Sequence, residues 1–311
     1  MPLNDSDDLR DLVTSMFPGP QLVIEGPAKA SGQRVVYFCH FEGEADQEPI
    51  DPRLPDAVGW GPVVVKVSES GSPNAMAYLR KEVEILGAIN SDAYPTLYYD
   101  KVYRHDPRDG SSLDRFLFIT IEQRVDAQPL SALMDSYRDP SDVRHFLLNA
   151  IKALRIMWEH PARLIHRDLK PDNILIREDG SVVIIDLGIV REEGVDGLTN
   201  SFVPYGPCSI LYASPEQAMN QKRKISYRSD CFSLGIIAYE LTAGRNPFGA
   251  VGDHFGEVID RICNHRQDPL REVTGSDVMY SELIDRMLSK QPFQRHRRIA
   301  DLVSDLERLF V

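Results

Sequence analysis

The stretch "LIHRDLKPDNILI", residues 164–176, sets four charged side chains and an asparagine between two short apolar runs. Strands and helices seldom read this way. Apolar ends with a polar middle describe a loop anchored on both sides and displayed from a rigid core, a common setting for catalytic residues. Lys170-Pro171-Asp172 is also ordinary turn chemistry. What His166, Arg167, Asp168, Lys170, Asp172 and Asn173 do therefore depends on what lies at fixed distances from them.

Downstream, "SVVIIDLGIV" at 181–190 is an apolar strand ending in Asp186, followed by a Leu-Gly step. Asn173 and Asp186 could supply oxygen ligands to Mg²⁺, which takes few protein ligands and keeps waters and phosphate oxygens. Asp168, five residues before Asn173, is placed to accept a proton from a substrate hydroxyl, and Lys170 to neutralise charge on a phosphoryl group. Upstream, "VVVKV" at 63–67 is a short buried strand interrupted by Lys66. A desolvated ammonium needs an anionic partner or a ligand phosphate. The helical pattern at 75–89 offers Glu82 beside its apolar stripe, and Glu84 two residues on. Together these are the parts phosphoryl transfer requires: positioning, a metal clamp, cations at the developing charge and a base.

The whole chain sets bounds on this reading. Its 311 residues exceed the size at which one core stops growing, so one large or two medium lobes are expected. A formal net charge of -12 argues against general affinity for nucleic acid or anionic membrane. No apolar run approaches the length that crosses a bilayer, and the first residues are acidic where a signal peptide is basic. Cys39, Cys208, Cys231 and Cys263 are scattered, which reads as reduced thiols and neither a disulfide framework nor a zinc site. A cytoplasmic protein without nucleic-acid or membrane partners is the expectation.

Residues 5–16 have helical spacing, and residues 21–42 read as two strands joined by a Gly/Ser-containing turn. Residues 42–62, acidic and rich in Pro and Gly, read as a long loop. Strands at about 96–104 and 115–122 flank a turn; from 141 onward the pattern is helical, at 141–159, 226–243, 254–264, 279–289 and 297–310. The class is α+β: an N-terminal extension over 1–19, a small β-rich lobe over 20–124 and a larger helical lobe over 125–311. "RHRR" at 295–298 reads as a solvated helix face, Arg295 excepted.

In these motifs the sequence resembles the protein kinase superfamily over about residues 20–310. Lys66 stands for the strand lysine, Glu82 for its helix partner, His166-Arg167-Asp168 with Asn173 for the catalytic loop, and Asp186-Leu187-Gly188 for Asp-Phe-Gly. Ser214-Pro215-Glu216 replaces Ala-Pro-Glu; Asp230 matches the aspartate that braces the catalytic loop, and Arg295 the arginine that pairs with Glu216. The resemblance implies a bilobal kinase-like fold and a serine/threonine protein kinase that uses ATP and Mg²⁺ on a protein substrate. It implies Asp168, Lys170, Lys66 and Glu82 as catalytic, and Asn173 and Asp186 as metal ligands. Gly26, Gly32, Val64, Lys66, Ile121, Glu122, Arg124 and Leu175 are implied at the nucleotide. Lys170 in "DLKPDN" and Ser209 point to Ser/Thr specificity, and Arg167 to an activation segment autophosphorylated at Thr199 or Ser201.

The sequence departs from the pattern at the glycine-rich loop, where Gly26 and Gly32 are one residue too far apart and the middle glycine is missing. Val64 replaces the usual alanine, and residues 42–62 lengthen a link that is normally tight. The alternative is a pseudokinase scaffold with little turnover. A small-molecule phosphotransferase of the aminoglycoside-kinase type is opposed by the Ser-Pro-Glu segment.

Overall fold

The computed structural model describes residues 11–12, 15, 21–26, 29–31, 34–43, 57–70, 80, 83–137, 139–187, 191–192 and 210–310. The chain divides into two compact units, Met1–Val125 and Asp126–Val311.

The N-terminal unit is an antiparallel sheet. Its strands are β1 (Gln21–Ile24), β2 (Lys29–Ser31), β3 (Arg34–Glu42), β4 (Val63–Ser70), β5 (Leu97–His105) and β6 (Ser112–Gln123), with β1-β3-β4-β6-β5 across the sheet and β2 also on β3. Alternation builds it: Val63, Val65 and Val67 on β4 are at most 2% exposed and face a core shared with Tyr37, Cys39, Ile119 and Ile121. β6 lies between two neighbours and is buried on both faces, with Phe118 turned to the opposite side against Val83 of the helical residues 83–88. Glu84 on that helix is exposed.

Two strands were expected over 21–42; three are present. Ile24 faces Cys39 while Lys29 faces Val36, so the edge strand carries two more residues than its partner between those pairs. Gly26, at φ +89°, turns the chain in this interruption. Gly32 lies outside the described residues. The expected loop over 42–62 also contains structure. Ala57–Trp60 form a 3₁₀ turn in which Ala57 is buried and Trp60 stacks on Tyr98 at 4.9 Å. Leu12, from the expected terminal extension, is buried in the same core as β4.

The C-terminal unit is built on helices. Pro140–Trp158 starts at a clear cap, where Asp139 accepts the Ser141 N–H and Pro140 holds the first turn. Tyr227–Ala243 is mostly apolar or small, and its residues from Ser229 to Tyr239 are all buried. It ends at Gly244, which adopts φ +72°. Phe255–Asn264, Val278–Met287 and Ile299–Glu307 complete the expected set, and the short helix Leu270–Thr274 is an addition. At Gly235 the central helix meets Val278–Met287 so closely that a Cβ would stand 3.0 Å from Met287 Cβ. The basic cluster needs one correction. Arg297 and Arg298 are exposed, but His296 is buried beside Arg295, with Nε2 on Asp305 at 3.2 Å. Among the described residues no helix is long and apolar enough to cross a membrane, and Cys39, Cys231 and Cys263 are free thiols. Cys208 lies outside them.

Candidate active site

In the C-terminal unit the 164–176 stretch is a loop held between small strands. β8 (Leu164–Ile165) enters it; a 3₁₀ turn at Pro171–Asn173 and β9 (Ile174–Ile176) leave it. β9 pairs with β10 (Val182–Ile184), which leads directly to Asp186. β7 (Gln128–Pro129) pairs with β9 on its other edge, setting Leu175 opposite Pro129.

The loop is clamped from below by Asp230, which is fully buried at the start of the central helix. Its Oδ2 accepts the His166 backbone N–H and Trp158 Nε1–H, and its Oδ1 the Arg167 N–H, all at 2.9 Å. Burial pushes the Asp230 carboxyl above its ordinary range, and the His166 ring and these three donors work against that rise. Arg167 sits at φ +70°, a strained conformation for a residue that carries a Cβ. It is fixed from both ends, because Gln217 Nε2–H donates to its carbonyl at 2.6 Å while Asp230 takes its N–H. Gln217 Oε1 is occupied in turn by the Ser214 backbone N–H and hydroxyl.

His166 ties this loop to the strand before Asp186. A carbonyl only accepts, so the 3.1 Å contact of Nε2 with Ile185 O puts the proton on Nε2. Nδ1 then accepts the Asp168 N–H at 3.3 Å. The Ile185 N–H donates to Asn173 O at 3.0 Å. Asp186 follows at φ +63°.

Above this frame stand Asp168, Lys170 and Asn173. Asp168 Oδ2 accepts from Lys170 Nζ at 3.1 Å and from Asn173 Nδ2 at 3.2 Å, and Asn173 Nδ2 also reaches Asp168 O at 2.9 Å. Among the described residues, Asp168 Oδ1 and Asn173 Oδ1 have no donor. One is a carboxylate oxygen open to a hydroxyl proton, the other an amide oxygen open to a cation. Asn173 Oδ1 therefore suits a hard cation, whose shell would be filled largely from other oxygens such as those of phosphate and water.

Beneath the Ser214-Pro215-Glu216 segment, Arg295 and Glu216 form a bidentate pair, Nη1 to Oε1 at 2.7 Å and Nη2 to Oε2 at 3.0 Å, with both side chains at most 1% exposed. Arg295 also donates to the carbonyls of Ser289, Arg228 and Lys290, so all five guanidinium N–H groups are used. Ser229 Oγ–H adds a 2.6 Å bond to Glu216.

In the N-terminal unit, Lys66 pairs with Glu122 at 2.8 Å. The expected helix partner, Glu82, lies outside the described residues, as do Gly188, Thr199, Ser201 and Ser209. Val64 faces Glu122 across β4 and β6, and Ile121 faces Val65. Arg124 reaches Glu25 at 2.5 Å and lies over the Phe38 ring. Gly26 is exposed.

Sequence reasoning missed Gln217, Trp158 and Glu122 as Lys66's partner. The first was legible as a side chain in the first turn of a helix that opens at Ser214, the capping-box position. The other two act across long separations that no local pattern reveals.

The protein kinase domain model matches residues 63–304, and the chain belongs to that family. Its relatives include a serine/threonine-protein kinase PknA of Corynebacterium glutamicum, 32% identical over 245 residues, which are 77% of this chain and 49% of the relative. PknA of Mycobacterium tuberculosis is 30% identical over 253 residues, 80% of this chain and 54% of that protein. A probable PknB of Bifidobacterium longum is 27% identical over 255 residues, 78% and 35%. The chain thus spans about half the length, or less, of the curated relatives it matches.

Proposed function

We propose that this protein transfers the γ-phosphoryl group of ATP to serine or threonine hydroxyls of a protein substrate. The observation that carries the reading is the Asp168 carboxylate. One oxygen is held by Lys170 and Asn173, and the other is open toward an incoming hydroxyl. Oδ1 orients that hydroxyl and takes its proton as the oxygen attacks the γ-phosphorus and the bond from that phosphorus to the β,γ-bridging oxygen breaks, releasing ADP. Lys170 stabilises negative charge on the transferring group, and Asn173 keeps the carboxylate in one rotamer. Asn173 Oδ1 and Asp186 would hold Mg²⁺. Held there, the ion would supply positive charge that offsets the charge of the ATP phosphates. Lys66 is proposed to hold the α- and β-phosphates; Val64, Ile121, Glu122, Arg124, Leu175 and the Gly26 turn would contribute to the nucleotide site. The relatives' names support serine/threonine specificity.

We further propose autophosphorylation at Thr199 or Ser201, with Arg167 as the phosphate's counter-charge. Incubating the purified chain with Mg-ATP and mapping phosphosites by mass spectrometry tests both statements. Phosphoserine and phosphothreonine on substrate are expected, with loss of activity in Thr199→Ala/Ser201→Ala. Phosphotyrosine alone, or no transfer at all, contradicts the specificity or the activity respectively.

A further inference from the structure

Lys66 and Glu122 sit on adjacent central strands, and their register makes them partners. Lys66 faces Thr120, and Val64 faces Glu122, so the two charged residues are diagonal neighbours on one face of the sheet. Nζ and Oε2 are 2.8 Å apart, and the side chains are 16% and 6% exposed. The Thr120 hydroxyl donates to the second carboxylate oxygen at 3.4 Å. An ammonium and a carboxylate this far from water persist only when each compensates the other. Both are carried on strands of one ladder, and the strand register holds the contact in place.

Two consequences follow from the charges. Unliganded, the pair is close to neutral, so the sheet does not hold an uncompensated lysine. An incoming phosphate meets the ammonium together with a carboxylate about one hydrogen bond further away, and the repulsion from the second offsets part of the attraction to the first. We propose that Glu122 is the sheet-borne counter-ion of Lys66 and that nucleotide phosphates bind by drawing this lysine away from it, so that the Glu122 carboxylate sets the affinity for ATP. This rests on the nucleotide reading above and adds to it the residue against which ATP competes. Removing the charge without changing the shape, as in Glu122→Gln, is expected to weaken the unliganded fold and strengthen ATP binding. Those two effects have opposite signs, and a purely structural role for Glu122 does not produce the second.

The experiment is a double-mutant cycle on the full chain: wild type, Glu122→Gln, Lys66→Met and the double variant, each read by thermal midpoint without ligand and by Kd for Mg-ATP. Glu122→Gln should lower the midpoint and tighten ATP on the order of tenfold, the effect of one like charge removed from a partly buried site. The double variant should regain most of the midpoint and show no tightening relative to Lys66→Met. Unchanged or weaker ATP binding in Glu122→Gln overturns the proposal, as does tightening that survives in the Lys66→Met background. Absence of ATP binding by the wild type overturns the nucleotide reading itself and this proposal with it. If Glu122→Gln does not fold, the wild type decides: with ¹⁵N-labelled lysine, the Lys66 ammonium resonance, assigned through Lys66→Met, must shift on adding Mg-ATP. A resonance that stays in place refutes the exchange of partners.

Discussion

Asp168 has one oxygen engaged by two donors and one left for chemistry, which fixes what its replacement does. In Asp168→Asn the amide cannot take a proton, and its NH₂ group faces either the donors of Lys170 and Asn173 or the substrate hydroxyl. Phosphoryl transfer should fall roughly 10²–10⁴-fold with ATP affinity largely kept, measured by initial rates and by nucleotide titration. Arg295 stands at the other extreme of residue-scale chemistry, since its role is purely structural. All five of its donors are used in a buried site. Arg295→Met leaves the Glu216 carboxylate buried without its cation and should cost about 3–5 kcal/mol by denaturant unfolding. His296 adds a pH dependence. Burial first, then the nearby Arg286 charge, pulls its pKa down to about 4 from the ordinary 6.5, with Asp305 opposing. The folded ring is neutral where the unfolded ring binds a proton, so stability is full above pH 6.5 and is lost as pH falls through about 4. Unfolding free energy measured from pH 7 to pH 4 should decline less steeply in His296→Phe than in wild type.

Elements with one strong local signal were legible in the sequence. The helices Pro140–Trp158 and Tyr227–Ala243 follow from their caps and apolar spacing, and β4 from its run of valines. The edge strand was harder. Its two-residue interruption at Gly26 arises from pairing with β3, which periodicity within one strand does not show. The same limit hid Trp60, whose contribution is a stack on Tyr98 in a distant strand. In the candidate site, the loop residues Asp168, Lys170 and Asn173 were legible because they lie within six positions of one another. The Glu122 contact with Lys66 was not, because it depends on strand register. Gly235 tests packing at this scale. Alanine is favoured over glycine in a helix by about 1 kcal/mol, but its Cβ would meet Met287 Cβ at 3.0 Å and Leu288 Cδ2 at 3.1 Å. A Cβ is fixed by the backbone, so overpacking at about 1–3 kcal/mol should win. Gly235→Ala is expected to lower the midpoint of thermal unfolding, and a raised midpoint would mean that the two helices part at little cost.

At the scale of the molecule, a sheet unit carries an ion-paired lysine and a helical unit carries the braced loop 164–176. The brace is itself a physical argument for chemistry. Arg167 and Asp186 both adopt positive φ without being glycine, and such strain persists where surrounding contacts over-determine it, as Asp230 and Gln217 do for Arg167. A formal charge of -12 weighs against substrates recognised by simple attraction to an acidic segment, and favours acceptor sites flanked by basic residues. Peptide panels compared on initial rate would show that preference. The central claim is transfer of a phosphoryl group from ATP by the Asp168 loop. The most direct measurement is a single-turnover assay with γ-labelled ATP, Mg²⁺ and a serine/threonine-containing protein substrate, run on wild type and Asp168→Asn at equal nucleotide occupancy. The account predicts labelled phosphoserine or phosphothreonine from the wild type and a rate at least about 10²-fold lower from the variant. Equal rates from the two proteins, or no transfer from a wild type shown to bind Mg-ATP, would contradict it.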